Sequence, residues 1–168
     1  TLVRLRPDDP PAATLALVAA VALEEVVSQT LHSPSPFRAF GAPSLSRRER
    51  EEARPPKASG KGERDLRIKW PNDLLIDGAK LSGILLERAG DAVVIGFGVN
   101  LAHHPVLPDR AVSSLAAHGV PITPEDFAVR LADMLAAWLH IWRNEGLAPI
   151  IARWTARAHP AGTPLTAR

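Results

Sequence analysis

The stretch at residues 66–99 constrains the fold more than any other, because short apolar runs alternate there with turn signals. Four such runs follow one another, LRIKW, DLLI, KLSGILLE and AVVIGFGVNL. Asp77-Gly78 separates the second run from the third, and this dipeptide is suited to a two-residue hairpin turn. The tripeptide AGD makes a second turn before the last run. The pattern predicts an antiparallel meander of four short strands.

The flanking segments predict one further strand and several helices. TLVRLRP alternates apolar and polar residues, which predicts a short strand that ends at Pro7. The run AATLALVAAVALEEVVSQTL is rich in alanine and leucine and apolar nearly all round, which predicts a buried helix. Thr123 is a good N-cap for a helix that runs to about Glu145, and APIIARWTARAH is a second, shorter helix. This order of elements predicts an α+β fold.

Residues 33–64 interrupt the pattern. Proline, serine, glycine, arginine and glutamate dominate this segment, and large apolar residues are few. Such a segment cannot bury enough apolar surface to offset the entropy cost of ordering it. We therefore expect a disordered surface insertion at 33–64.

Composition excludes several classes of protein. The chain has no cysteine, which rules out disulfides, cysteine-based zinc sites and a thiol nucleophile, and which suits the cytoplasm. The net charge of +2 is too small to indicate nucleic-acid binding. The apolar run near the N-terminus carries glutamates and is better explained by a helix of the fold than by a membrane span or signal peptide. Because Thr1 rather than methionine opens the chain, we expect a fragment of a longer protein.

Polar residues at fixed places inside the meander are the first candidates for a site. In KWPND, Pro71 ends a strand, and Asn72 and Asp73 follow where their side chains can leave the sheet; ordinary turn composition explains them equally well. Lys80 opens an apolar strand, where it either serves a site or only makes an edge soluble. Gly83, in the same strand, permits close approach of a ligand or of another backbone.

The segment GFGVN supplies the second group of candidates. Gly96 and Gly98 flank one aromatic residue near the end of an apolar strand, as at a β-bulge or beside a ligand. Asn100 can both donate and accept hydrogen bonds, which suits an adenine edge or a carbonyl group. His103 and His104 are adjacent and lack the spacing of a metal-binding pair, so we predict no metal-ligating residue.

Together, KWPND, KLSGILLE and GFGVN closely resemble the catalytic domain of biotin–protein ligases, that is, biotin–[acetyl-CoA-carboxylase] ligases. The flanks LVRLRP, GLAPIIARW and GTPL are similar as well, so the resemblance covers nearly the whole chain except residues 33–64. It implies that residues 1–168 are part of that domain. The implied fold is α+β, a mixed sheet like that of class II aminoacyl-tRNA synthetases with helices packed on one side.

The resemblance also implies an activity. Such ligases activate biotin with MgATP as biotinyl-5′-AMP and transfer it to a lysine of the biotin carboxyl carrier domain of a biotin-dependent carboxylase. ATP, biotin and Mg²⁺ are therefore the expected cofactors, with no nucleic-acid or membrane partner and with homodimerisation left open.

The residue roles are carried over from the family's motifs. Lys80 and Asp73 are expected to be catalytic, with Lys80 against the biotin carboxylate and the phosphate. The remaining residues are expected to bind biotin or the nucleotide: Lys69, Asn72, Gly83, Gly96, Gly98 and Asn100.

The chain departs from the family in what precedes and follows these motifs. The Gly/Arg-rich loop over the adenylate, the Ser/Thr and Gln contacts to the biotin head group and the small C-terminal β-barrel are not in this sequence. Two alternatives therefore stay open: a truncated, non-catalytic remnant that binds biotin or docks a carrier, and a relative of the lipoate ligases.

Overall fold

The computed structural model describes residues 1–32, 64–160 and 162–164. Within them, five strands form one sheet: β1 (Leu2–Arg4), β2 (Leu66–Lys69), β3 (Asp73–Ile76), β4 (Ala79–Ala89) and β5 (Ala92–Val99). The predicted insertion at 33–64 lies outside the described residues except for its last one, Arg64.

The sheet has the order β1-β5-β4-β3-β2, and each neighbouring pair of strands is antiparallel. The chain from β2 to β5 is the predicted meander, which is thereby confirmed. The turn between β3 and β4 uses Asp77 and Gly78 with φ angles of 50° and 80°, as the hairpin prediction requires. The sheet itself is therefore antiparallel throughout, where a mixed sheet was expected. The parallel pairings among the described residues are two isolated bridges, Lys80 to Val112 and Ile68 to Ala158, which do not extend into strands.

Three α-helices are described: α1 (Leu15–His32), α2 (Pro124–Asn144) and α3 (Ala148–Arg157). Short 3-10 turns at Ala12–Thr14 and Ala116–His118 accompany them. Helix α2 begins as predicted, because the Thr123 hydroxyl accepts a hydrogen bond of 3.1 Å from the Asp126 amide.

The core lies between one face of the sheet and the helices. Inward-facing residues of the strands, such as Ile76 and Ile95, are fully buried together with Leu23 of α1 and Trp142 of α2. The opposite face of the sheet is open, since Leu85 on it is 62% exposed. This arrangement confirms the predicted α+β fold with helices packed on one side.

Of the described residues, the helical stretch Ala12–His32 alone has the length and hydropathy of a membrane span. Its residues Leu15, Val18 and Leu23 are completely buried in the core. The apolar character of α1 is therefore accounted for by packing between the sheet and the other helices, as predicted.

Candidate active site

A cleft of about 990 Å³ lies on the open face of the sheet. The corner between β2 and β3, the first half of β4 and the end of β5 form its floor and one wall, and residues 109–111 form the other wall. The cleft thus brings together most of the residues that the sequence singled out: Lys69, Asn72, Asp73, Lys80, Gly83, Gly96 and Gly98.

The floor of the cleft is glycine-rich because of the pairing register of β4 and β5. Gly83 lies opposite Gly98, and Leu85 lies opposite Gly96. A Cβ atom added at Gly98 would meet only the Gly83 carbonyl oxygen, at 3.7 Å, so the space above the floor belongs to the cleft. The backbone itself is therefore the surface that a bound molecule would touch.

A β-bulge in β4 brings Lys80 onto this same face. Lys80 pairs with Leu75 and Ser82 pairs with Leu74, so that Leu81 has no partner on β3. Leu81 and Ser82 are consequently both buried. In a regular strand, residues three apart point to opposite faces, but the extra residue lets Lys80 and Gly83 face the cleft together.

The Lys80 ammonium forms an ion pair with the Asp73 carboxylate, with Nζ 2.6 Å from Oδ1. Their side chains are 31% and 22% exposed, so the pair lies at the cleft wall and is still reached by solvent. A Cβ atom on Gly83 would come within 3.4 Å of both Lys80 Nζ and Asp73 Oδ1. Glycine at position 83 therefore leaves room for the pair, and Asp73 holds the ammonium in a fixed place.

Asn72 and Lys69 stand at the corner where the chain passes from β2 to β3. The Asn72 amide nitrogen donates to the Ile84 carbonyl oxygen at 2.6 Å, and the Ile84 amide donates to the Asn72 carbonyl oxygen at 2.9 Å. Asn72 thus fastens the corner to β4 with two bonds. Lys69 pairs with Asp73 in the register of β2 and β3 and lines the cleft.

Asn100 is placed differently from the other candidates. It does not belong to the lining of the cleft, and its amide nitrogen donates to the Ser113 carbonyl oxygen at 2.9 Å. The expectation that Asn100 binds a ligand stays a prediction.

The segment 109–111 contributes residues that sequence reasoning missed. Asp109 and Arg110 line the cleft and form an ion pair of 3.1 Å. Among the described residues, the cleft lining has three cationic side chains, Lys69, Lys80 and Arg110, against the carboxylates of Asp73 and Asp109. This charge balance favours an anionic ligand. The segment has neither helical nor strand periodicity, and only its arginine could have marked it.

A family model described as "Biotin/lipoate A/B protein ligase family" matches residues 11–100, more than half of the 168-residue chain. The biotin–[acetyl-CoA-carboxylase] ligase of Paracoccus denitrificans is 41% identical over 116 residues, which are 61% of this chain and 48% of that protein. The bifunctional ligase/repressor BirA of Escherichia coli K12 is 38% identical over 101 residues, which are 55% of this chain and 32% of that protein. The chain therefore spans about a third to about a half of the length of these relatives.

Solved structures share the fold. The biotin protein ligase of Leishmania major in complex with biotinyl-5-AMP gives a TM-score of 0.68 at 22% identity, over 99% of this chain and 62% of that one. The biotin protein ligase of Aquifex aeolicus in complex with biotin and ATP gives 0.65 at 15% identity, over 94% and 56%. At these identities the likeness establishes the fold and leaves the chemistry to the residues of the cleft.

Proposed function

The chain belongs to the biotin/lipoate A/B protein ligase family, and from this membership we propose that it is part of the catalytic domain of a biotin–[acetyl-CoA-carboxylase] ligase. In the proposed reaction the biotin carboxylate attacks the α-phosphorus of ATP, which gives biotinyl-5′-AMP and releases pyrophosphate. The amine of a lysine on a biotin carboxyl carrier domain then attacks the acyl carbon, which forms an amide and releases AMP. The proposed compartment is the cytoplasm.

The observation that carries the proposal is the Lys80–Asp73 pair above a floor of glycines. Negative charge grows on the α-phosphate in the transition state of adenylation, and a fixed ammonium beside it stabilises that charge. Because Asp73 already holds Lys80 Nζ at 2.6 Å, the entropy cost of ordering the lysine side chain does not have to be met during the reaction.

The glycine floor suits the two substrates. Gly83, Gly96 and Gly98 leave the backbone bare, which lets a flat ring system or an acyl chain lie close to the sheet. The three cations of the cleft wall suit the phosphates of ATP.

Magnesium would bind as a complex with the phosphates of ATP, because it coordinates phosphate oxygens and needs few protein ligands. In the described part of the chain, no group of three histidine, aspartate or glutamate side chains could hold a metal ion alone. Asp73 and Asp109 are the carboxylates that line the cleft and could face such an ion.

The test is biotin-dependent release of pyrophosphate from MgATP by the purified protein, followed by transfer of labelled biotin to a carrier domain. Replacing Lys80 with alanine should slow pyrophosphate release by about a hundredfold to a thousandfold, because a charge-stabilising donor is lost. Arg88→Ala is the matched control, since it removes a cation from the same strand outside the cleft lining and should leave the rate unchanged.

Three outcomes would count against the proposal. Pyrophosphate release that requires lipoate instead of biotin would identify a lipoate ligase, which the family description includes. Binding of biotin without any adenylation would indicate the non-catalytic alternative. A normal rate in Lys80→Ala would remove the lysine from the mechanism.

A further inference from the structure

The backbone of Lys80 is held on the side away from β3 by the segment 111–113. The Lys80 amide donates to the Ala111 carbonyl oxygen at 2.9 Å, and the Ser113 amide donates to the Lys80 carbonyl oxygen at 2.9 Å. Both backbone polar groups of the lysine are therefore bound to one short segment. The segment begins at Ala111 and directly follows Arg110, and both of these residues line the cleft wall.

Two side chains fix this segment from outside the cleft. Asn100 donates to the Ser113 carbonyl oxygen at 2.9 Å, and the Ser113 hydroxyl is 2.9 Å from Nε2 of His118. The other ring nitrogen of His118, Nδ1, lies 3.7 Å from Asp77 Oδ2. Because Asp77 belongs to the turn that precedes Lys80, His118 joins that turn to the segment that holds the lysine.

The order serine, histidine, aspartate resembles a hydrolase triad, but the surroundings of Ser113 exclude that role. Ser113 is only 8% exposed and does not line the cleft. A nucleophile needs an adjacent space for the group that it attacks. Ser113, His118 and Asp77 therefore have a structural role and do not form a nucleophilic triad.

We propose that His118 is a positioning residue, which keeps Lys80 in place for adenylation through its contacts to Ser113 and Asp77. The inference rests on the proposed function, because it assigns His118 a task in that reaction. It also accounts for Asn100, which supports the same segment from the end of β5.

The charges around His118 make this contact sensitive to pH. Burial lowers the pKa of His118 below its ordinary value, Asp77 raises it, and Arg64 and His104 lower it further. Arg64 lies close, because its guanidinium donates to the His118 carbonyl oxygen at 2.7 Å. The environment therefore favours the neutral ring, because protonation in acid would place a positive charge beside the Arg64 guanidinium at a poorly solvated position.

The kinetic test compares three variants of the purified protein in biotin-dependent pyrophosphate release. His118→Ala should lower kcat by about tenfold to a hundredfold, which is the cost of displacing a reacting group. His118→Gln keeps a side chain that can bond Ser113 and should restore most of that loss. His104→Ala is the matched control, since His104 bonds the neighbouring Ser114 at 3.2 Å, and it should keep the wild-type rate.

The pH profile gives a readout that a role in folding alone would not change. The wild-type rate should fall on the acid side with a midpoint below the ordinary histidine pKa of 6.5. His118→Gln should lose this acid limb, whereas His104→Ala should retain it with the midpoint shifted toward higher pH, because His104 lowers the pKa of His118. An acid limb that persists in His118→Gln would overturn the inference.

Amide hydrogen exchange tests the geometry independently of activity. In His118→Ala the amides of Lys80 and Ser113 should exchange about tenfold faster or more. Both amides donate hydrogen bonds that join Lys80 to the segment 111–113. Wild-type exchange at these two amides would overturn the inference even if kcat fell. Failure of the wild-type protein to adenylate biotin would instead contradict the proposed function, and the exchange data would still decide whether His118 holds Lys80.

Discussion

At the scale of the residue, glycine determines what the cleft can accept. Gly98 lies in β5 with its missing side chain directed into the cleft, and a Cβ atom there would contact protein only at 3.7 Å. We predict that Gly98→Val leaves the fold intact, since valine suits a strand. Its methyl groups would occupy the floor, so the KM for biotin or for ATP should rise about tenfold or more.

Val94→Phe is the matched control for this prediction. It adds bulk to the same strand and face of the sheet, at a residue that is 42% exposed and is not part of the cleft lining. Thermal melting should show both variants folded, and KM should change in Gly98→Val alone. Unchanged KM values for both substrates in a folded Gly98→Val protein would mean that the floor is not the binding surface.

At the scale of the element, the cap of α2 gives a prediction that concerns stability only. The Thr123 hydroxyl accepts from the Asp126 amide at 3.1 Å, which satisfies one of the free amides of the first turn. Thr123→Ala should lower the free energy of unfolding by about 1 kcal/mol in urea titrations, whereas Thr123→Ser should stay close to wild type. Equal stability of the alanine and serine variants would mean that the cap does not contribute.

The elements also show how far the sequence could predict this molecule. Strands β2 to β5, the Asp77-Gly78 turn and the start of α2 were all predicted, because hydrophobic period, turn residues and caps are local signals. The bulge at Leu81 was not predicted, although it determines that Lys80 faces the cleft. A bulge depends on the pairing of two strands, and no residue type in KLSGILLE requires it.

Contacts between distant segments could not be predicted from the sequence for the same reason. Seven of the eight predicted site residues line the cleft, because the motifs KWPND, KLSGILLE and GFGVN lie on adjoining strands. Arg110 and His118 were missed, because Arg110 reaches the cleft, and His118 reaches the neighbourhood of Lys80, only through contacts between segments that are distant in sequence. The side chain of Asn100 is likewise explained by a partner thirteen residues away.

At the scale of the whole molecule, a buried ionic contact joins the first helix to the last. Glu24 of α1 is 0% exposed, and its carboxylate lies 2.8 Å from Arg153 and 3.2 Å from Arg157 of α3. The two arginine side chains are 28% and 36% exposed, so they reach the carboxylate from the surface. The contact links α1 to α3 in the helical layer, which packs against the face of the sheet opposite the cleft.

The pKa of Glu24 should make the stability of this whole arrangement depend on pH. Burial raises the pKa and Glu25 adds to the effect, which together outweigh the lowering by Arg153 and Arg157. The folded protein therefore keeps a proton on Glu24 at pH values where the unfolded chain, with an ordinary pKa of 4.5, has lost it. Stability from this group is present below pH 4.5 and is lost as the pH rises through the raised pKa.

Glu24→Gln removes the titrating carboxyl, so the difference in stability between wild type and variant reports the contribution of Glu24. Urea unfolding of both proteins from pH 4.5 to 7.5 should show the wild type losing stability relative to Glu24→Gln as the pH rises, because only the wild type must ionise a buried carboxyl. Glu87→Gln, the same change at an exposed position of β4, controls for the substitution itself. If the wild type instead gained stability relative to Glu24→Gln over this range, the two arginines would outweigh burial, and the contact would act as a favourable salt bridge between the first and last helices.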